Sequence, residues 1–351
     1  MLTSNIRPVW ETIPRAIRWF NYSYSLPRVW LSSCRVMLGC RRVGTSDKPL
    51  AITGSISEDY ARLWLFFAQR SLNPRQWDFL IIDSAGDMDP RKFQGCRVVR
   101  FLNLYHGRKI DLLLRRLLRA EIVFLCDDDK YILQDVTPLV AHLDDPQTPV
   151  VSLSPRSWWK FRINGVEFLP MGSYALILKR SEWLRLALRL QSPANLTSPY
   201  KVFMPAAKPQ TRYDTADYAN EQLLLGGYSV VTLPDSPAVL GFDGLSAPRI
   251  LLMKYGKAYV KEALLQAEHY RDGSTNGAVI KAMYAIVKLE CLYRTIFQEE
   301  PRLSSGFSEA ELREIVESNT HLDREQRARA LAYFQQIDGI YQTLTDHRSN
   351  C

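Results

Sequence analysis

The apolar positions in the first half of the chain fall into short runs separated by segments of helical periodicity. Leu50 to Thr53, Phe79 to Ile82, Arg97 to Leu102 and Glu121 to Cys126 are predicted strands. The last of these carries β-branched, leucine and aromatic residues without polar alternation, the mark of a central strand covered on both faces. Gly54-Ser55-Ile56-Ser57 is a predicted turn, with Ser57 as N-cap and Glu58 and Asp59 in the first turn of a helix. Tyr60 to Ser71 continues that helix until Asn73-Pro74 stops it. Lys109 to Ala120 is a second helix with a basic flank. Alternation at this spacing predicts an α/β fold with a mostly parallel, doubly wound sheet. Ligands of such sheets bind beyond the carboxyl ends of the strands, where Thr53, Asp83 and Asp127 would gather.

After Pro149 the pattern changes. Trp158 to Ile163 and Val166 to Met171 flank Asn164-Gly165, a two-residue hairpin signal. Tyr174 to Leu178 is a predicted strand and Ser181 to Leu190 a helix. Pro193 to Pro209, rich in Pro, Ser and Ala, reads as a long loop or lid. Asp217 to Gly226 is a helix and Tyr228 to Leu233 a strand; from about Pro248 the chain is mostly helical, with a capping box at Ser308 and Glu311. These shifts divide the chain into an extension (1–48), an α/β domain of two halves (49–133 and 134–247) and a helical region (248–351).

Composition narrows the function classes. The chain has 351 residues, 46% of them hydrophobic, and a net charge of +8. Arg7, Arg15, Arg18, Arg28, Arg35, Arg41 and Arg42 supply much of the excess. Such a balance admits nucleic acid, an anionic membrane, a phosphorylated ligand, or a face that only aids solubility. Residues 1–48 interleave these arginines with Trp10, Trp19, Phe20, Tyr22, Tyr24 and Trp30. That suits a segment lying on an anionic membrane surface, or an extension packed across the domain. No aromatic-basic RNA motif occurs, so no nucleic acid is expected. The six cysteines show neither a C-x-x-C pair nor zinc spacing with histidine, which fits a reducing compartment. No apolar signal region opens the chain and no run approaches transmembrane length, so a cytoplasmic, membrane-associated or free, protein is expected. Asn21-Tyr22-Ser23 and Asn195-Leu196-Thr197 are then chance matches to the glycosylation pattern.

The candidate chemistry lies where the fourth apolar run ends in Asp127-Asp128-Asp129. Three carboxylates at the tip of a buried strand repel one another unless a cation or strong donors sit among them. Oxygen-rich sites suit Mg2+ or Mn2+ with a phosphate on its far side. A solvated acidic turn or an acidified helix start is the other reading. An apolar run followed by acids also describes the second half of a P-loop site, but the chain has no G-x-x-x-x-G-K-[ST]; G-x-G-x-x-G is missing too.

Order and spacing over roughly 80 residues, Leu50 to Asp129, resemble the nucleotide-sugar domain of GT-A glycosyltransferases, closest to the large inverting family. The resemblance implies a GT-A fold and transfer of a sugar from a nucleoside-diphosphate sugar donor to a glycan, lipid-linked or protein acceptor, with Mn2+ or Mg2+ as cofactor. It places Asp83 on the base, Thr53, Gly54 and Ser55 in the first turn, and His106-Gly107-Arg108-Lys109 on the family's glycine-containing basic segment. Arg108 and Lys109 either offset diphosphate charge or form a solvated helix start, and a turn-forming role is the alternative for Asp83. The D-x-D follows 20 residues after Gly107, with Asp127 and Asp129 on the metal and Asp128 near the ribose. The family's Arg-Asn pair after that glycine falls on apolar residues here, and Thr53-Gly54-Ser55 replaces its Pro-x-x-Asn turn.

The segment Asp214 to Gln222, before Gly226-Gly227-Tyr228, is similar to the family's acidic helix start, which supplies the general base. Asp217 best matches that place, with Asp214 and Glu221 as the other carboxylates; helix capping is the alternative role. Trp158, Trp159, Gly172 and Ser173 are candidates for the acceptor cleft, with a place in the core as the alternative for the tryptophans. The resemblance also makes His269 a candidate late metal ligand, with a plain surface residue as the alternative. Two other functions stay open: a metal-dependent nucleotidyl- or phosphotransferase on the same sheet, and a non-catalytic relative that binds a membrane or partner through its basic aromatic segment.

Overall fold

The computed structural model describes residues 27–45, 47–154, 159–193, 196–203, 213–234, 236–242, 244–265 and 277–349. The chain forms two compact units, residues 1–239 and 240–351. Trp158, His269 and much of the 193–209 loop lie outside the described residues.

The first unit is built on a seven-stranded sheet. In chain order its strands are β1 (Leu50–Ser55), β2 (Asp78–Asp83), β3 (Arg97–Arg100), β4 (Ile122–Cys126), β6 (Val150–Ser152), β9 (Ala175–Lys179) and β11 (Val230–Thr232). Short β5 (Lys130–Ile132) follows β4 outside this sheet. The spatial order is β11-β6-β9-β4-β1-β2-β3. The sheet is parallel except at β9, which runs antiparallel to β4 and β6. The expected α/β class and mostly parallel sheet are therefore present, and the C-terminal unit is helical.

Alternation along each strand explains the two cores. Leu50, Ile52, Leu80, Ile82, Val123 and Leu125 face one side, which helix α3 (His106–Arg116) covers with Ile110, Leu113 and Leu114. Ala51, Phe79, Ile81, Phe124 and Cys126 face the other, covered by helix α2 (Glu58–Ser71) through Ala61, Trp64 and Ala68. Ser57 caps α2 by accepting the Tyr60 N–H at 3.3 Å, as its position predicts. Helix α1 (Pro27–Met37) lies against β3 through Val29, Ser33 and Val36; Ser33 Oγ accepts the Leu102 N–H at 3.1 Å.

Several boundaries differ from the sequence expectation. Helix α3 begins at His106 rather than Lys109 and ends at Arg116, because the next residues turn to bond Val43 at both its N–H and C=O. Helix α4 is only Arg180–Arg185; Ala187 takes a left-handed φ of 53° and turns the chain toward α3. The third strand stops at Arg100. The hairpin forms as expected, with β7 (Trp159–Ile163) and β8 (Val166–Phe168) antiparallel around Asn164 and Gly165, both at positive φ. Strand β10 (Lys201–Phe203) pairs with β7 to complete a small second sheet, and helix α5 (Asp217–Leu225) follows.

The second unit packs α6 (Ser246–Leu265, broken at Gly256), α7 (Gly277–Phe297), α8 (Glu309–Ser318) and α9 (Arg324–Ser349). Ser308 caps α8 by accepting the Glu311 N–H. The Tyr284 ring stacks on Phe334 at 4.0 Å, and its hydroxyl joins Arg313 and Asp338 in a polar network with Lys288 and Glu309.

Candidate active site

The carboxyl ends of β1, β2 and β4 meet at one edge of the large sheet, with Ser55 level with Asp83 in the parallel register. Strand β4 ends in a tight turn that the Lys130 N–H closes on the Asp127 carbonyl at 3.0 Å. The Asp127 N–H is in turn donated to Tyr174 at 2.9 Å, so the turn hangs from β9 as well as β4. Within it, Asp127 and Asp128 are half-buried and Asp129 is nearly buried. Ser55 Oγ donates to the Asp128 carboxylate, tying the acidic turn to the end of β1. His106, the first residue of α3, places Nε2 3.6 Å from the Asp127 carboxylate. A partial positive charge at the start of α3 adds to that field.

Asp83 is fully buried and accepts N–H bonds from Gly86 and Met88. Burial pushes its carboxyl above the ordinary range, against the lowering by those two N–H groups and Arg100. Arg100 lies 3.6 Å away and also holds the Gly86 and Met88 carbonyls. Asp83 thus shapes the loop after β2, and its carboxylate is closed to solvent.

Gly54 owes its size to Lys109. A Cβ there would lie 3.1 Å from Lys109 Nζ, which is buried and donates to Ser84 Oγ at 3.1 Å. Lys109 therefore pins α3 behind the ends of β1 and β2, while Arg108 is exposed at the helix start. The Thr53 hydroxyl, buried beside them, has no hydrogen-bond partner among the described residues. Gly107 answers a different need. A Cβ there would meet the Gln191 nitrogen at 2.7 Å and the Leu190 carbonyl carbon at 2.8 Å, a separation no side chain tolerates.

That close approach starts a chain of contacts to α5. Asp111, one turn beyond Gly107, accepts the Leu190 and Gln191 N–H groups at 2.9 and 3.0 Å. Leu190 accepts the Ala216 N–H at 2.8 Å, and Ser192 Oγ donates to the Asp214 carbonyl. A second path runs through Asn220, whose carboxamide bonds Met171 at both N–H and C=O. Gly172 packs so tightly that a Cβ would lie 2.1 Å from the Ser154 carbonyl; Ser173 beside it is buried, and Tyr174 then bonds the acidic turn.

The three carboxylates at the start of α5 have different surroundings. Asp217 is fully buried and accepts from Lys201 Nζ and the Asp214 N–H, both at 2.7 Å, and from Trp159 Nε1 at 3.2 Å. Burial pushes its carboxyl up, and Lys201 opposes that push. Lys201 also sits 4.0 Å above the Trp159 ring. The expectation that Asp217 acts as base meets a closed side chain with three donors, and Trp159 serves this buried pair instead of an acceptor surface. Glu221 is also buried, accepting from Ser198 and Tyr213. Asp214 is exposed. Before Asp217, Ala216 holds a left-handed φ of 73° without a side-chain cap, local strain of the kind found at working sites.

Among the described residues, no group of three or more His, Cys, Asp and Glu side chains is arranged to hold a metal ion by itself. Asp127 and Asp129 offer hard oxygen donors, a set that fits Mg2+ or Mn2+ completed by phosphate oxygens and water. Sequence reasoning missed Lys201, Asn220 and Ser192. Lys201 lies in a Pro- and Ser-rich stretch with no pattern, and Asn220 opens the polar run Asn220-Glu221-Gln222, which does not distinguish a buried amide from a solvated one.

No protein-family model and no curated protein matches the chain. Among solved structures it is similar to TarS of S. aureus, at 12% identity and a TM-score of 0.37, over 83% of this chain. The chain spans 55% of the length of TarS. It is also similar to the mannosyltransferase PcManGT of Pyrobaculum calidifontis, solved with GDP-Man and Mn2+, at 14% identity and a TM-score of 0.37, over 95% of each chain. A third likeness is to the galactosyltransferase LgtC, solved with donor and acceptor sugar analogues, at 10% identity and a TM-score of 0.35, over 80% of this chain and 99% of that one. None of the described helices is long and apolar enough to cross a membrane.

Proposed function

We propose that the chain is a GT-A glycosyltransferase that moves a sugar from a nucleoside-diphosphate sugar to an acceptor hydroxyl with inversion. The observation that carries this reading is the acidic turn Asp127–Asp129 at the carboxyl edge of the central strand, held by Ser55 and Tyr174 and faced by His106. Such an edge is where α/β sheets bind ligands, and a carboxylate cluster beside a helix start suits a cation and a diphosphate together. Asp127 and Asp129 would hold Mn2+ or Mg2+, which supplies Lewis-acid stabilisation of the leaving diphosphate. Arg108, exposed on the first turn of α3, would meet the diphosphate, and Thr53 the nucleoside. The glycan, lipid-linked or protein acceptor would enter from the α5 side, where Asp214 takes the proton of its hydroxyl as general base. Asp217, with Lys201 and Trp159, fixes the backbone that presents Asp214.

The test is thermal stability against nucleoside diphosphates and their sugars, with and without Mn2+. Ligand at 100 times its Kd adds about 2.7 kcal/mol to the folded state. The expected result is a shift that needs both Mn2+ and one nucleotide, lost in Asp129→Asn and kept in Asp214→Asn. With that donor, Asp214→Asn should slow transfer by about 10²–10⁴-fold. No shift with any donor removes the reading. Release of pyrophosphate instead of nucleoside diphosphate converts it to a nucleotidyltransferase.

A further inference from the structure

Helix α1 is apolar on two sides. Val29, Ser33 and Val36 form the side buried against β3. At 100° per residue, Leu31 and Cys34 project from the far side, Trp30 and Met37 lie along one flank of it, and Leu38 follows just past the helix end. All five are exposed, Leu31 at 58% and Leu38 at 77%. A surface helix ordinarily presents polar residues there.

The rim of this face is basic. Arg28 and Arg35 are exposed along one edge of the helix, and Arg41 and Arg42 follow it. No acidic residue occurs between Pro27 and Ser46. Burial lowers the Arg41 pKa, and so do the neighbouring guanidinium groups of Arg35, Arg100 and Arg97. A cluster of cations around exposed tryptophan, leucine and methionine calls for a partner that is anionic at its surface and apolar beneath. A second copy of the chain would set one arginine rim against another, an unfavourable pairing.

We infer that the outer face of α1 docks on the surface of an anionic phospholipid bilayer, with Trp30, Leu31, Met37 and Leu38 in the headgroup–acyl boundary and Arg28, Arg35 and Arg41 on lipid phosphates. The geometry matches an interfacial helix: apolar residues on the membrane side, cations at its border, and a length too short to span. The face is mounted rigidly, since Ser32 and Ser33 bond the Arg100 carbonyl and the Leu102 N–H across to the sheet edge. This inference is independent of the sugar-transfer reading.

The experiment is co-sedimentation of the full chain with neutral phosphatidylcholine vesicles and with vesicles holding about 30% phosphatidylglycerol. Wild type should bind the anionic vesicles at least about tenfold more tightly than the neutral ones. The double variant Leu31→Glu, Leu38→Glu should lose binding. Arg28→Gln with Arg35→Gln should weaken it about 25-fold, at about fivefold per arginine. All four positions are exposed, and unchanged thermal melting shows that the variants fold. Failure of wild type to bind anionic vesicles overturns the inference, and points to an acidic protein or to coverage by residues 1–26. Vesicle binding that both double variants retain overturns it as well, because the attachment would then lie elsewhere.

Discussion

Replacing Lys201 by Met tests whether the buried ion pair fixes α5. Lys201 Nζ lies 2.7 Å from the Asp217 carboxylate, and the two side chains are 3% and 0% exposed. Removing one partner of a buried pair leaves an uncompensated charge and costs about 3–5 kcal/mol. The pairing energy at an effective dielectric of 20 is about 6 kcal/mol, so the loss falls within what the geometry allows. Lys201→Met with Asp217→Asn removes both charges. Because an apolar replacement of a buried pair is often close to neutral, the double variant should recover at least about 2 kcal/mol. The sign with pH is fixed too. Burial already raises the Asp217 pKa above its ordinary value of 3.8, and Lys201 is the strongest influence holding it down. Without Lys201 the folded state favours the protonated carboxyl still more. Its contribution is then full below the unfolded pKa and lost as pH rises through the folded one, so the Lys201→Met penalty should shrink toward pH about 4 and grow above it. Urea unfolding followed by tryptophan emission reads this directly, since all eight tryptophans lie in the first unit. A penalty below about 1 kcal/mol, with no pH dependence, would refute the buried-pair account.

Three further outcomes follow from particular contacts. Gly107→Ala should lower stability by about 1–3 kcal/mol in thermal melts, because its Cβ would lie 2.7 Å from the Gln191 nitrogen; Gly339→Ala, in open space on α9, should be neutral or raise it. Glu290, buried and bonded by Ser305, has its pKa raised by burial, so its contribution to the helical unit is full at low pH and falls as pH rises through that raised value. Glu290→Gln should therefore flatten the pH dependence of the helical circular dichroism melt. Ser55→Ala should leave the fold intact and weaken Mn2+-dependent nucleotide binding by about tenfold or less, as loss of one hydrogen bond to the acidic turn.

The central sheet was legible because each strand carried a complete local signal. Leu50, Phe79 and Glu121 open runs whose alternation supplies two cores, and Ser57 and Ser308 mark helix starts through their own hydroxyls. The antiparallel β9 was not legible: pairing direction depends on where the chain re-enters the sheet, and Tyr174 to Leu178 reads the same in either sense. Helix α4 ended early for a tertiary reason, since Leu190 is drawn under Gly107 and Asp111. The acidic turn stood out because three consecutive carboxylates, Asp127 to Asp129, end an apolar strand, where mutual repulsion demands a cation or strong donors. The roles of the α5 carboxylates did not, because sequence gives spacing and not exposure. Asp214, Asp217 and Glu221 look alike in the chain, and their burial is decided by residues distant in sequence: Lys201 and Trp159 close over Asp217, and Ser198 bonds Glu221.

The two links between the acidic turn and α5 give the candidate site its mechanical logic. One runs from His106 and Gly107 through Asp111 to Leu190, and on to Ala216. The other runs from Asp127 through Tyr174 and Met171 to Asn220. One ends on the left-handed Ala216 and the other on Asn220, so the two ends flank Asp217. Strain at Ala216 persists only because these bonds over-determine it, and a strained backbone is stiff in position. Proximity catalysis needs such stiffness, since a displacement of about 1 Å between a base and a donor can cost about 10²-fold in rate. Under the proposed reading, with Asp214 as base, the buried Asp217 has a purpose that an exposed carboxylate could not serve. It holds the Asp214 N–H and anchors Lys201 and Trp159, so the exposed carboxylate three residues earlier is carried on a fixed backbone. On this account Asp217→Asn should disturb turnover through the position of Asp214, with donor binding unchanged, and rescue should come from restoring the buried hydrogen bonds rather than from added external base.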